Sequence, residues 1–456
     1  MSIELAPTIS SAPARSWKPY PAYKDSGVEW LGKVPEHWEV WKIKHSTYVK
    51  GRIGWKGLTS NDFLDEGAYL VTGTDFVDGK VNWETCYHVS YERFDEDPYI
   101  QLKEKDILIT KDGTIGKIAI AENLRNKATL NSGIFLIRPL TTNYLNDFMY
   151  WILNSEVFST FISFTKTGST IQHLYQNVFE DFSFPVPLIP EQRAIAHYLD
   201  DRTRKIDSLI EKKQKLIELL KEERSAVINQ AVTKGLNPRA PMRDSGVEWL
   251  GEVPEKWELR KIGRSFNLIG SGATPESGNK KYYEKGVVAW INTGDLNDGI
   301  LDSCEKKITN EAFENYTALK IYPKGTILVA MYGATIGKVG LLNFEACTNQ
   351  ACCALGKSSF FIDKFVFYWF LANKRNIVNL SFGGGQPNIS QEIIKSLKLT
   401  CPPIEEQQSI VQFIESELAI IDDTVSRIEK EIALLQEYRT ALISEVVTGK
   451  IDVRGE

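Results

Sequence analysis

Pro187-Leu-Ile-Pro-Glu-Gln192 opens a stretch that runs to Lys234-Gly235, and Pro402-Pro-Ile-Glu-Glu-Gln407 opens a second copy of it that runs to Gly449-Lys450. Ile206, Ile210, Ile217, Leu220, Val227 and Ala231 in the first copy recur 215 positions later as Ile421, Val425, Ile432, Leu435, Leu442 and Val446. No residue is gained or lost between the copies over this length. Such strict register predicts a continuous helix, because one inserted residue would rotate the apolar stripe by about 100° away from whatever it packs on. The stripe steps by alternating threes and fours, a heptad pattern. Lys213 and Arg224 interrupt it in the first copy; Arg439 matches Arg224, and Ile428 stands where Lys213 stands. Polar residues in such a seam can specify register and partner. A helix from about Gln192 to Ala231 would be roughly 60 Å long. It cannot bury its stripe alone, and the other copy is the simplest partner. Charge agrees: residues 191–234 carry ten Lys/Arg and eight Asp/Glu, and residues 405–450 carry four and ten. The heptads leave open whether the pair is parallel or antiparallel.

Working outward, Asp25-Ser-Gly-Val-Glu-Trp-Leu-Gly32 followed by Val34-Pro-Glu-His-Trp38 returns as Asp244-Ser-Gly-Val-Glu-Trp-Leu-Gly251 followed by Val253-Pro-Glu-Lys-Trp257. An octapeptide repeated unchanged marks an internal duplication whose unit is a domain plus a helix, far longer than a solenoid repeat. The predicted order is a leader over 1–24, a mixed domain over 25–186, a central helical region over 187–243, a second mixed domain over 244–401 and a terminal helical region over 402–456.

Ala68–Val71, Ile107–Thr110 and Ile134–Arg138 read as strands of the first domain; Val287–Asn292, Thr326–Met331 and a segment near Cys352–Leu355 read as their counterparts. Tyr144–Phe161 and Phe365–Asn379 read as helices. The fold class is therefore α+β: two similar mixed α/β domains separated by two long paired helices.

A second shared phrase, Lys111-Asp-Gly-Thr-Ile-Gly-Lys-Ile118 and Tyr332-Gly-Ala-Thr-Ile-Gly-Lys-Val339, follows an apolar strand in each domain. It is not a nucleotide-binding phosphate loop, which needs four residues between the glycines and a Ser or Thr after the Lys. Lys111, Thr114 and Lys117, with Thr335 and Lys338, suit contact with nucleic-acid phosphates; a tight turn needing Gly116 and Gly337 explains the phrase equally well. Ser271, Thr274, Asn292, Thr293, Asp295, Asn349 and Gln350 are candidates for base edges, since Asn and Gln can pair bidentately with adenine. Tyr282, Tyr283 and Tyr316 could stack on a base, although packing is the simpler role.

The chain has 456 residues, a formal charge of −5 and six cysteines, with no C-x-x-C pair. No metal-ligating, dinucleotide or catalytic constellation is present in the sequence. Asp200-Asp201 and Asp422-Asp423 read as favourable charge near helix starts, and His197 as a packed or solvated helix residue. No stretch is long and apolar enough for a membrane span or a signal peptide, so a cytoplasmic location is expected.

These phrases, in their duplicated order, resemble the specificity subunits of type I restriction–modification enzymes. The resemblance rests on 25–38 and 244–257, the Thr-Ile-Gly-Lys phrases at 114 and 335, the Pro187–Gln192 and Pro402–Gln407 openings, and the endings Ala231-Val-Thr-Lys-Gly235 and Val446-Val-Thr-Gly-Lys450. Ser271-Gly-Ala-Thr-Pro275 with Trp290–Leu296 also resembles the opening of such recognition domains; the first domain instead has Val49-Lys-Gly-Arg-Ile-Gly-Trp-Lys56. The resemblance implies two target-recognition domains reading halves of a bipartite double-stranded DNA target, and an antiparallel helix pair. It implies no chemistry or cofactor in this chain. Two methyltransferase subunits using S-adenosylmethionine, and up to two restriction–translocation subunits using ATP and Mg, would supply both. A modification-only complex and a helical scaffold that does not bind DNA remain the alternatives.

Overall fold

The computed structural model describes residues 18–52, 62–165, 173–381 and 388–455. The leader before residue 18 and residues 53–56 of the Val49–Lys56 stretch lie outside the described residues. The chain forms two compact units, one from residues 1–212 with 430–456 and the other from residues 213–429.

Both long helices form, over Ile189–Lys234 and Ile404–Val447. In the first unit Ile206 shares a core with Leu442, Ile443 and Val446, and Ile210 and Leu435 pack against it. In the second unit Ile228, Ala231 and Val232 share a core with Ile410, Ile414 and Leu418. In each unit the early part of one helix meets the late part of the other, so the pair is antiparallel. Ile217, Ile421 and Ile428 are buried, while Leu220, Val227, Val425 and Ile432 are half-buried, which keeps the predicted stripe on the inside.

The two arginines that interrupt the heptads reach across the seam. Arg439 clamps Asp207 with Nε to Oδ1 at 2.8 Å and Nη2 to Oδ2 at 3.1 Å, and Arg224 Nε lies 3.6 Å from Asp422 Oδ1. These are one pair written twice, because 207 corresponds to 422 and 224 to 439 in the repeat. Their side chains are a third to two-thirds exposed, so water screens them. Arg439→Ala is expected to cost about 0.5–1 kcal/mol in denaturant unfolding, a difference that shrinks in high salt.

The aspartates do not sit at helix starts. The helices begin at Ile189 and Ile404, so Asp200 and Asp422 lie several turns inside, beyond the reach of the terminal dipole. Asp200 Oδ1 accepts from Trp151 Nε1 at 3.0 Å instead, and burial raises the Asp200 carboxyl pKa. His197 is exposed, in line with its solvated reading. The predicted helix over Tyr144–Phe161 is two helices, Asn146–Leu153 and Glu156–Thr165. The break falls where Ser155 turns its hydroxyl back to the Ile152 carbonyl and the Glu156 N–H donates to Ser444 Oγ on the second long helix, at 2.9 Å. A tertiary contact thus satisfies the N–H that a continuous helix would have bonded internally.

The sheets repeat in the same order. In the first unit the strands that matter below are β1 (Thr47–Gly51), β2 (Ala68–Val71), β3 (Ile107–Thr110), β4 (Ile118–Ile120), β5 (Ala128–Leu130) and β6 (Ile134–Pro139). Their counterparts are β7 (Leu268–Gly270), β8 (Val288–Ile291), β9 (Ile327–Ala330), β10 (Val339–Leu342), β11 (Cys347–Thr348) and β12 (Cys352–Gly356). Among the described residues one sheet runs β1-β6-β3-β4 and its copy β7-β12-β9-β10, while β5 pairs with β2 as β11 pairs with β8. Central strands β3 and β9 are buried throughout, as their unbroken apolar runs require.

Gln192 and Gln407 are fully buried one turn into the long helices. Gln407 Oε1 accepts the Ile362 N–H at 2.9 Å, and its Nε2 donates to the carbonyls of Phe360 at 2.8 Å and Pro402 at 2.9 Å. Gln192 does the same with the Leu145 N–H and the carbonyls of Asn143 and Pro187, at 2.8, 3.0 and 2.8 Å. The repeated Pro-x-x-x-x-Gln phrase is therefore a polar weld between each helix start and its own domain. The cysteines are unpaired, and burial pushes the thiols of Cys347 and Cys353 up to about 12, which makes them poor nucleophiles. Among the described residues no helix is long and apolar enough to cross a membrane.

Candidate nucleic-acid interface

In the second unit β7 and β9 both run antiparallel to β12, with Gly270 opposite Ala354 and Ala330 opposite Cys352. Strand β8 runs parallel to β11, with Ile291 opposite Thr348. This register gathers the segments that leave the strands, 271–274, 292–295, 331–338 and 349–351, along one margin. Hydrogen bonds tie them together. The Gly272 N–H donates to the Asn349 carbonyl at 3.2 Å, Asn349 N–H to Ile291 at 2.9 Å, and Met331 N–H to Ala351 at 2.9 Å. The Thr274 hydroxyl donates to Gln350 Oε1, and Asn349 Oδ1 accepts the Ala351 N–H at 3.1 Å. Asn292 caps the Thr293–Asp295 turn, whose Asp295 carboxylate accepts the Asn292 N–H at 2.7 Å.

The first unit builds the same margin. Gly51 lies opposite Phe135, Thr110 opposite Ile134, and Val71 opposite Leu130. The Asn131 N–H donates to Val71 at 2.9 Å and the Lys111 N–H to Gly133 at 2.8 Å. Thr72 caps the Gly73–Asp75 turn, the counterpart of the Asn292 turn.

The predicted residues therefore converge: Lys111, Thr114 and Lys117 on one margin, and Ser271, Thr274, Asn292, Thr293, Thr335, Lys338, Asn349 and Gln350 on the other. Their environments differ. Lys111 Nζ lies 4.9 Å from the centre of the Phe135 ring, and burial lowers its pKa. Lys117 Nζ donates to the Gly73 carbonyl at 3.3 Å, bridging two of the gathered segments. Thr114 is exposed, whereas Thr335 and Lys338 are half-buried. Gly116 and Gly337 have φ of +83° and +75°, so the conformational demand of the turn is real whatever else the phrase does. Tyr282 and Tyr316 meet edge to face at 5.8 Å, the Tyr316 hydroxyl accepts the Glu276 N–H, and Tyr283 donates to the Pro275 carbonyl; all three pack against the core cluster around Trp290.

Several further residues stand on the margins. Asn131 and Ser132 occupy the places of Asn349 and Gln350, and Thr72 and Asp75 those of Asn292 and Asp295. Asp112 is bonded to His173, and its counterpart by bridge register is Tyr332, which pairs with Asn388 as Asp112 pairs with His173. Arg52, 2% exposed, donates through Nε to the Leu130 carbonyl at 3.0 Å and through Nη2 to Thr129 Oγ1 at 3.4 Å. By strand register its counterpart is Gly272, where an added Cβ would come within 1.7 Å of the Thr348 carbonyl oxygen. Close backbone contact in one unit and a long buried guanidinium in the other explain why the two domain openings differ in sequence. Strand register is the signal that pairs these positions, and it exists only once the sheets are formed. Among the described residues no group of three or more His, Cys, Asp or Glu is placed to hold a metal ion.

The family described as type I restriction modification DNA specificity domain matches this chain twice, over residues 35–219 and 254–434. The type I restriction enzyme MjaVIII specificity subunit of Methanocaldococcus jannaschii is 25% identical, over 92% of this chain and 95% of its own length. The EcoKI specificity subunit of Escherichia coli is 21% identical, over 92% and 90%. The fold resembles a chain from a solved structure concerned with assembly and conformational transition of the type I R-M system. There the TM-score is 0.71 at 14% identity, covering 92% of this chain and 99% of that one. It also resembles the HsdS subunit from Thermoanaerobacter tengcongensis, with a TM-score of 0.59 at 14% identity, covering 92% and 98%. With both halves matched in full register with the duplication, this chain belongs to the type I restriction modification DNA specificity family.

Proposed function

We propose that this chain is the sequence-reading subunit of a type I restriction–modification complex, and that each unit recognises one half of a bipartite double-stranded DNA target. The observation that carries the reading is the repeated margin: one strand-end architecture, built twice, furnished with different polar side chains. Lys117, Thr114, Thr335 and Lys338 are assigned to phosphates, which position the protein without reading sequence. Ser271, Thr274, Asn292, Thr293, Asn349 and Gln350 are assigned to base edges of one half-site, and Thr72, Asn131 and Ser132 stand in the corresponding places for the other. Because the sets differ, the half-sites differ. Adenine methylation belongs to two methyltransferase subunits with S-adenosylmethionine, and cleavage to up to two restriction subunits with ATP and Mg, all working in the cytoplasm. The acidic balance of the chain, −5 overall, makes weak DNA binding by the lone subunit the expectation, since few phosphates are neutralised.

The test is co-expression with the neighbouring methyltransferase, followed by single-molecule methylome sequencing of host DNA. A new adenine-methylated motif with two short unlike halves and a fixed gap is expected. Identical halves would overturn the assignment of distinct sets. No new motif, from a stable complex whose methyltransferase is active, would favour a scaffold that joins proteins without reading DNA.

A further inference from the structure

Resting on the DNA-reading role proposed above, we infer that Gln350 is a specificity-determining residue of the second unit and reads an adenine edge in its half-site. Gln350 stands at the tip of the turn between β11 and β12, and its side chain is exposed. The backbone on both sides of it is immobilised. Asn349 bonds Ile291 and Gly272, and Ala351 bonds Met331 and the Asn349 side chain. Three other segments of the margin therefore converge on this one turn.

The side chain is also held. The Thr274 hydroxyl donates to Oε1. This tether from a separate segment restricts the rotamers of a long side chain at the surface, where an untethered glutamine would lose that freedom on binding. Support of the turn does not require the amide. In the first unit the corresponding residue is Ser132, whose hydroxyl bonds Asn131 Oδ1 at 3.0 Å, and the same turn forms.

A tethered amide with one acceptor and one donor side by side matches the major-groove edge of adenine, which offers the N6 amino donor and the N7 acceptor. Guanine presents two acceptors, O6 and N7, and would face Oε1 with a lone pair. Oε1 keeps a second lone pair beyond the one Thr274 uses, so the tether does not consume the reading function.

The experiment uses the full chain in complex with its methyltransferase and reads the methylated motif. Gln350→Ala is expected to make one A·T position degenerate in one half-site, with discrimination there falling about tenfold or more. The other half-site and the gap are expected to stay unchanged. Thr274→Val, which keeps the glutamine and removes its tether, is expected to relax the same position partially. Unchanged letters in Gln350→Ala, degeneracy at a G·C position, changes in both halves, or uniform loss of methylation would each overturn the inference while leaving the bipartite reading standing. A wild-type chain that yields no motif would overturn both.

Discussion

Gln407→Ala is expected to cost the second unit about 3 kcal/mol or more, because each buried polar group left without a partner costs about 1–3 kcal/mol. Two such groups, the Ile362 N–H and the Pro402 carbonyl, are stranded at once, and the Phe360 carbonyl keeps only its long contact with Cys401 Sγ at 3.8 Å. Gln407 is fully buried, so water does not replace the amide without opening the joint. Gln407→Glu is expected to be at least as damaging. It keeps the volume but points a carboxylate oxygen at two carbonyl oxygens where an NH2 group had donated to both. A chain with two compact units need not unfold in one step, so the measurement is hydrogen exchange resolved by peptide. Amides around 360–362 and the first turns of the Ile404–Val447 helix should lose protection, with those around 143–145 unaffected. Gln192→Ala should give the mirror result in the first unit. A protection change below about 1 kcal/mol in either variant would show that the weld can be re-solvated and that the Pro-x-x-x-x-Gln phrase has another purpose.

Trp38→Ala is expected to cost the first unit about 3–5 kcal/mol, the range for emptying a buried tryptophan site. Trp38 has no exposed surface and meets Tyr20 edge to face at 5.6 Å. Another neighbour comes from the far end of the chain. Gly449, just past the second long helix, has φ of +73°, and a Cβ there would lie 2.4 Å from Pro35 Cγ and 3.0 Å from Trp38 Cη2. Gly449→Ala therefore combines about 1–2 kcal/mol of left-handed backbone cost with overpacking of about 1–3 kcal/mol. The Tyr23 hydroxyl donates to the Gly449 carbonyl at 2.9 Å, and the Asp452 N–H donates to the Lys18 carbonyl at 2.9 Å. Glu191, 6% exposed in its side chain, accepts from His37 at 3.0 Å and lies 3.7 Å from Arg454. In either variant the segments 18–42 and 442–454 should lose exchange protection together. Loss confined to one of them would contradict the joint.

The second unit repeats this arrangement with Trp257, which lies 3.0 Å from the Cβ that Gly235 lacks. Each Val-Pro-Glu-x-Trp phrase is thus seated on the end of the long helix that belongs to the other copy of the repeat. The octapeptides read as a duplication in the sequence; what they pack against is visible only in three dimensions.

The long helices, their stripe and the strand runs at Ala68–Val71 and Ile107–Thr110 were legible in the sequence because each depends on neighbours within a few residues along the chain. Periods of two and of three to four are local consequences of backbone geometry, and a duplication doubles the signal. The break at Asn154–Ser155 was not legible, since Ser444, nearly three hundred residues away, supplies the bond that makes it. The role of Asp200 was misread for the same reason: its partner, Trp151, lies on another element. Half of the candidate margin was legible, because Asn, Gln, Thr and Lys announce their chemistry by type. Arg52 and Ser132 were not, because their significance is positional and their counterparts differ in identity. The sequence by itself determined the two repeats and their helices. Only the tertiary structure decided the antiparallel pairing, through the cores that join Ile206 to Leu442 and Ile228 to Ile414, and the gathering of four separate segments at each margin. Both depend on contacts between residues far apart in sequence, whose energies no local pattern records.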